Sequence, residues 1–334
     1  MSILFVSPHP FSSAEASVFR SLLRTANMEE YPVANVFAEA PPDKKIKNWC
    51  VGKKSATELG ITDLPPIGPA GFLLPEYRDN LKRLYDEVVK AQPTVIVPLG
   101  GTALWAFTGV SNITQVRGTV VAAERMVPGI KVVPSFHPSY IIKKWQHFAI
   151  VVRDMQFAKL EAEKGKEIEH ATRSLILEPT QADIDHCTAL CLGSPLISLD
   201  IETGWGQITC IGFAWTNEDA ICIPFVDLRR PNKSYWGTAE EECAAWRAVR
   251  SVCESGVPKV GQNFAGYDLI WLLLKHGISV RNMMHDTRLL SHAIYPELPK
   301  DLGFLGSAYT TQGAWKHMGR KGEKRDDNSQ FKGS

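Results

Sequence analysis

The most informative alternation of apolar and polar positions lies at residues 196–215, LISLDIETGWGQITCIGFAW, a β-branched run that predicts a buried strand and its hairpin partner. Two carboxylates interrupt it. Asp200 and Glu202 are two positions apart, so on a strand both side chains leave the same face and can converge on one cation. Two unpaired carboxylates there are costly, and a divalent metal is the simplest compensation.

Elsewhere the first half alternates short apolar strands (3–6, 33–37, 94–99, 131–133) with helical patterns at 14–26, 76–91, from Gly100-Gly101 onward, and at 148–162. This order predicts an α/β domain with a doubly wound parallel sheet. Its ligands sit beyond the strand carboxyl ends, in the loops after residues 6, 37, 99 and 133. The charged stretch EKGKEIEHAT and a fresh strand at 174–177 place a boundary near 170. Domains are therefore expected at 1–170 and 171–317, with 318–334 a basic tail read as disordered. The second half has a helix at 181–191, strands at 196–203, 208–215 and 220–226, a helix at 239–255, a strand at 259–262 and a helix at 263–275. Three antiparallel strands followed by helix and strand make a ribonuclease-H-like mixed sheet. In the last helix Asn263 reads as the starting residue. Asp268 falls about one turn in, among Leu269, Ile270, Leu272 and Leu273. A carboxylate in so apolar a helix needs a partner, and a metal held by Asp200 and Glu202 would supply it.

Composition narrows the classes. Apolar content of 44% and charged content of 22% are ordinary for a soluble globular protein, and the net charge of +1 excludes a broadly basic nucleic-acid coat while permitting a local groove. The chain has no apolar run long enough for a bilayer and no basic leader before the apolar residues of its N-terminus. This predicts a protein without membrane association, in the cytoplasm of a bacterium or a phage-infected host cell. The seven cysteines, an odd number, sit mostly at apolar positions and read as reduced, buried thiols.

In the first half PLGGTALWAFTG, ITQVRGTVV and VVPSFHPSYIIKKW, with NVFAEAPPDKK and PFSSAEASVFRSLL before them, resemble the uracil-DNA glycosylase superfamily over roughly residues 3 to 160. The resemblance implies that Phe11 stacks under a flipped uracil, that Asn35 bonds its Watson–Crick edge, and that His137 donates to the carbonyl oxygen that gains charge as the glycosidic bond breaks. Gly100 and Gly101 would let the backbone approach a DNA phosphate, with Arg117 and Lys143-Lys144 as further phosphate contacts. The family's Gly-rich turn and water-positioning residue do not precede Phe11 here. Ser7, His9 and Glu15 are the polar groups left open for that role. With Cys50 the single cysteine of this half, no iron–sulfur cluster is expected.

In the second half D-I-E, then N-x-x-x-Y-D in VGQNFAGYDLIWL, then HDTRLLSHAIYPELPKDLGFLGSAYT resemble the 3′→5′ proofreading exonuclease domain of family-A DNA polymerases, within the wider DEDD group. A D-x-E triplet alone occurs on many solvated strands; the succession of motifs is what points to chemistry. The resemblance implies two divalent cations, Mg²⁺ or Mn²⁺, held by Asp200, Glu202 and Asp268, with Asn263 and Tyr267 on the terminal nucleotide. The family's last motif, Tyr-x-x-x-Asp, is absent. Asp286 would be structural and Asp301 an exposed helix-start residue, and the tail offers Asp326 or Asp327.

The expected function is a metal-dependent 3′→5′ DNA exonuclease with an attached uracil-DNA-glycosylase-like domain, acting on single-stranded DNA or 3′ ends in replication or repair, beside a separate DNA polymerase. Two alternatives stay open: a non-catalytic DNA-binding or polymerase accessory module, and the N-terminal part of a longer family-A polymerase.

Overall fold

In the computed structural model, which describes residues 2–29, 31–169 and 172–311, the chain divides into two units, Met1–Glu169 with Gly303–Ser334, and His170–Leu302. The first runs β1 (Ile3–Ser7), α1 (Ser13–Thr25), β2 (Val33–Asn35), β3 (Cys50–Val51), α2 (Lys53–Glu58), β4 (Phe72–Leu73), α3 (Asp79–Ala91), β5 (Val95–Pro98), α4 (Gly101–Thr108), α5 (Ile113–Val116), β6 (Val121–Ala122), β7 (Lys131–Val132), α6 (Pro138–Lys143) and α7 (Phe148–Glu163). Its main sheet has the order β2-β1-β5-β7-β6, parallel except for β6. Successive residues of β1 serve opposite faces, as the pleat requires. Ile3 and Phe5 pack with Val95 and Val97 under α1 and α7; Leu4 and Val6 pack with Ile96 and Val132 under α3 and α4. Both faces are covered, so β1 is buried throughout and reads as continuously apolar. Burying each of these side chains contributes about 1.5–3 kcal/mol.

The second unit runs β8 (Ser174–Ile176), α8 (Gln181–Gly193), β9 (Ile197–Gly204), β10 (Gln207–Ala214), β11 (Asp219–Pro224), α9 (Ala239–Glu254), β12 (Lys259–Gly261), α10 (Asp268–His276), β13 (Met283–Asp286) and α11 (Thr287–Ile294). The sheet order is β13-β12-β9-β10-β11-β8, with β9, β10 and β11 antiparallel and β12 parallel to β9. This is the ribonuclease-H-like arrangement expected from the sequence. Ile197, Leu199, Ile201, Ile211, Phe213, Ile221 and Ile223 form the buried face with α8 and α9. Asp200, Glu202, Cys210 and Cys222 alternate onto the other.

Two expectations change. Helix α12 (Leu302–Tyr309) was expected with the second domain, but from Gly303 onward it belongs to the first unit. The reason is a buried charge. Ser307 Oγ accepts from Arg117 at 3.0 Å, Phe304 lies under the Arg117 guanidinium at 5.3 Å, and Arg153 donates to the carbonyl of Thr310. The second change is at residue 263, which does not start a helix: Asn263 has φ +58° and α10 begins at Asp268. A turn intervenes because the carboxylate of Asp286 captures the amides of Asn263 and Ala265, at 3.1 and 3.2 Å, while capping α11 through Arg288 and Leu289. The tail 318–334, with Asp326 and Asp327, lies outside the described residues.

Candidate functional sites

In the first unit the loops leaving β1, β2, β5 and β7 meet at one rim. His137 caps α6, and its Nδ1 accepts from the amide of Ser139 at 3.1 Å. An amide can only donate, so the ring proton resides on Nε2. That N–H donates to Ser7 Oγ at 3.2 Å, and the Ser7 hydroxyl donates onward to the carbonyl of His9 at 2.7 Å. Burial pushes His137 down to about 4, with the charge of Glu15 partly opposing, so the imidazole is neutral at pH 7. Glu15 caps its own helix through Ser12 and lies 3.6 Å from Lys44. Burial works against its ionisation, but the Ser12 hydrogen bonds and nearby charges, Lys44 among them, together hold it below the usual carboxylate range.

Phe11 lies 5.4 Å from the His137 ring, between it and Phe19. Asn35 ends β2 beside Ser7; its Oδ1 is buried with no hydrogen-bond partner among the described residues, while its main-chain oxygen accepts from Arg83 at 2.6 Å. Gly100, at φ +91°, brings its loop so close to His137 that a Cβ would stand 3.3 Å from the histidine's own. At Gly101 a Cβ would meet the carbonyl oxygen of Ser111 at 2.2 Å, so glycine is the residue that lets α4 start there. The structure thus brings together Phe11, Asn35, Gly100, Gly101 and His137.

Arg117 is elsewhere. It is 1% exposed and forms a bidentate pair with Asp154, at 3.1 and 2.7 Å, with Ser307 taking a third N–H. The phosphate contact expected of Arg117 is corrected accordingly: its guanidinium is buried and paired with Asp154 inside the domain. Lys143 and Lys144 are exposed at the end of α6.

In the second unit Asp200 and Glu202 project from the open face of β9, and Thr209, the extra residue of a bulge in β10, donates to the Glu202 carbonyl at 3.0 Å. Asp268 approaches the same strand from α10. Strand β12 pairs with β9 only at Ile197 and Ser198, and Asp268 Oδ1 accepts the amide of Ile201 beyond that stretch, at 2.9 Å. Burial pushes Asp268 up to about 7, the Ile201 hydrogen bond opposing and the charge of Asp200 adding to the rise. Tyr267 bonds Thr203 through their hydroxyls, and Asn263 Oδ1 accepts from Arg288 at 3.0 Å. The motif residues therefore surround one end of β9.

The carboxylates do not close into a cage: among the described residues no three His, Cys, Asp or Glu side chains are gathered to hold a metal. Asp268 is anchored by the strand amide, while Asp200 and Glu202 face solvent. The donors available are oxygens, which suit Mg²⁺ or Mn²⁺ better than zinc. A buried carboxyl raised this far, with no ion pair among the described residues, is a group that a cation would relieve.

Sequence reasoning missed Ser139, which fixes the His137 tautomer, and the partnership of Asp154 with Arg117. A signal for the latter exists: Asp154 is a lone acid inside the apolar run FAIVVRDMQFA.

Over 134 residues the chain is 27% identical to a DNA polymerase of Bacillus phage SP01, covering 38% of this chain and 14% of that protein's length. Among solved structures, the catalytic core of RRP6 from Trypanosoma brucei matches at 16% identity and TM-score 0.32, covering 42% of this chain and 36% of that one. The EXD2 exonuclease domain soaked in Mn and GMP matches at 18% and 0.28, covering 37% and 62%. No helix among the described residues is long and apolar enough to cross a membrane. Residues 6–160 match the uracil DNA glycosylase superfamily, so the first half of the chain is a uracil-DNA-glycosylase-like domain.

Proposed function

We propose that the chain is a metal-dependent 3′→5′ DNA exonuclease whose attached glycosylase-like domain recognises uracil. One observation supports the nuclease reading above others: Asp200 and Glu202 stand on the open face of β9 while a buried carboxyl, Asp268, is fastened to the amide between them. Two divalent ions bound there would activate water and stabilise the leaving 3′ oxygen. The chain's own groups do the rest. Asp200, Glu202 and Asp268 supply the oxygen donors, and Asp286 and Arg288 fix the turn carrying Asn263. The Tyr267 hydroxyl, held by Thr203, borders the place for a terminal nucleotide.

On the first unit, a uracil stacked on Phe11 would offer its N3–H to Asn35 Oδ1, which has no hydrogen-bond partner among the described residues. Its O2 would take the Nε2–H of His137 in place of Ser7. A neutral imidazole serves as a hydrogen-bond donor to developing negative charge without first binding a proton.

The open arrangement of the carboxylates favours a second reading, a non-catalytic DNA-binding or accessory module that works beside polymerase activity. A single gel separates the two. Labelled single strands containing uracil are incubated with Mg²⁺ or EDTA and then treated with alkali. The nuclease reading expects Mg²⁺-dependent shortening from the 3′ end that Asp200→Ala abolishes, and uracil excision expects alkali-labile cuts. Shortening that persists in EDTA or in Asp200→Ala rejects the metal-site assignment. Retention of DNA without cleavage supports the accessory module.

A further inference from the structure

The segment that leaves β2 carries Asn35, and α3 grips its main chain in a way the chemistry above does not use. Strand β2 is the outer strand of its sheet and pairs with β1 alone. Backbone groups that it turns outward need partners from outside the sheet. Helix α3 supplies them from Asn80 and Arg83, three positions apart and so on one helix face. Arg83 donates from one guanidinium nitrogen to the carbonyls of Asn35, at 2.6 Å, and Val36, at 3.3 Å. Asn80 Oδ1 accepts the amide of Ala38 at 3.0 Å, while its Nδ2 donates to the carbonyl of Tyr77 at 3.2 Å. From the β1 side, the carbonyls of Ser7 and Pro8 accept the amides of Val36 and Phe37 at 2.9 and 3.0 Å.

These bonds fall on the two ends of the same peptide units. A peptide unit is rigid and planar, so fastening both its C=O and its N–H fixes its orientation. The unit joining Asn35 to Val36 is held by Arg83 at the oxygen and by Ser7 at the nitrogen. The unit joining Val36 to Phe37 is held by Arg83 and by Pro8. With the first plane fixed, ψ of Asn35 is fixed, and with it the backbone from which the side chain projects. Asn35 Oδ1 has no hydrogen-bond partner among the described residues, so no bond on that oxygen sets its aim.

We propose that Arg83 is the positioning residue for Asn35 and, through it, sets a preference for uracil over cytosine in the first unit. The proposal rests on the uracil reading given above. Uracil brings an N3–H to Oδ1, whereas cytosine brings a lone pair at N3, and the two acceptors repel. That penalty is felt in full only where the amide cannot turn or retreat, which takes a support accurate to a fraction of an ångström. Arg83 itself is half-exposed, and its remaining contact is Glu87, one turn on, at 3.3 Å.

The test measures binding of the full chain to single strands that carry one 2′-fluoro-2′-deoxyuridine or one 2′-fluoro-2′-deoxycytidine. The fluorine slows loss of the base, and EDTA is present so that strand shortening does not consume the probe. The wild-type chain should bind the uridine strand at least about tenfold more tightly, the weight of one satisfied against one unsatisfied buried polar group. Arg83→Met should cut that ratio by about fivefold or more by weakening the uridine strand alone. Arg83→Lys can reach one carbonyl of the two and should fall between. Amide exchange at Val36 and Phe37 should quicken in Arg83→Met while β5 keeps its protection; if β5 loses protection, the ratio in Arg83→Lys decides instead. A variant that keeps the wild-type ratio overturns the proposal. Equal weakening of both strands also overturns it, since Arg83 would then be a phosphate contact. A wild-type chain that binds the two strands equally defeats the uracil reading and this proposal with it, a result seen before any variant is made.

Discussion

Replacing Asp154 by alanine isolates a buried electrostatic commitment of the first unit. Asp154, fully buried on α7, accepts two N–H groups of Arg117 and the hydroxyl of Ser135 at 2.8 Å. The Arg117 guanidinium is enclosed by Phe136 at 5.9 Å and Phe304 at 5.3 Å, and its remaining bond goes to Ser307. Alanine leaves that cation buried without a counter-charge, a loss of about 3–5 kcal/mol. The orphaned Ser135 hydroxyl adds on the order of 1 kcal/mol, though the two share a network and do not simply sum. At roughly 1.4 kcal/mol per decade, the opening equilibrium should rise by about two to three and a half orders of magnitude. Because the chain has two units, a single global melting curve would blend them. Amide exchange read on peptides from β1, β5 and β7 reports the first unit alone, with peptides from β9 and β10 as the internal control. The double variant Arg117→Met with Asp154→Leu, which removes both charges, should recover most of the loss. A change below about 1 kcal/mol in Asp154→Ala would refute the reasoning, since it would mean the guanidinium reaches water.

Gly101→Ala should destabilise the start of α4 by roughly 1–3 kcal/mol, because the new methyl meets the Ser111 carbonyl and backbone must move; protection of the α4 amides measures it. His137 should titrate near pH 4 in the folded protein, against an ordinary 6.5. Its contribution to stability is then complete above about 6.5 and is lost as pH falls toward 4, where the unfolded chain takes up a proton that the folded one refuses. An NMR midpoint above 6 for this ring would contradict the burial argument. For Asp268 the sign reverses: the folded carboxyl holds its proton up to about 7, whereas the unfolded one releases it near 3.8. In EDTA the second unit should therefore lose stability as pH rises from about 4 to 7. Mg²⁺ added at pH 8 should restore it, and a unit equally stable at pH 5 and 8 in EDTA would exclude the shift.

How much of this was legible in the sequence depends on how local the signal is. The β9 alternation, with Ile197, Leu199 and Ile201 inward and Asp200 and Glu202 outward, follows from the two-residue pleat and could be read directly. The rim of the first unit followed from strand ends, because parallel strands deliver their following loops to one edge. The start of α10 could not be read in this way. VGQNFAGYD has a good capping residue in Asn263, but the amides it would have organised are taken by Asp286, on a different strand. Arg117 failed for the same reason. An arginine beside a glycine near a presumed DNA edge suggests phosphate, and only the fold reveals that Asp154 and Ser307 reach it first. The register that sets Cys210 opposite Glu202 depends on the bulge at Thr209, which no hydropathy pattern marks.

The two sites share a device that makes their pH responses separable. Each holds an ionisable side chain in its neutral form by burial, but His137 is already neutral well above about 4, whereas Asp268 becomes anionic only near 7. Raising the pH from 5.5 to 8 should therefore leave uracil binding flat, since the Nε2–H donor is present throughout. Shortening of DNA at limiting Mg²⁺ should rise over the same range as Asp268 ionises and offers its oxygens. Saturating Mg²⁺ binds the ionised form and should pull the midpoint of the rise to lower pH. The comparison is internal to one chain, so loss of protein or of DNA cannot mimic it. A nuclease rate that is independent of pH at limiting Mg²⁺, or a uracil affinity that climbs in step with it, would remove burial as the common cause.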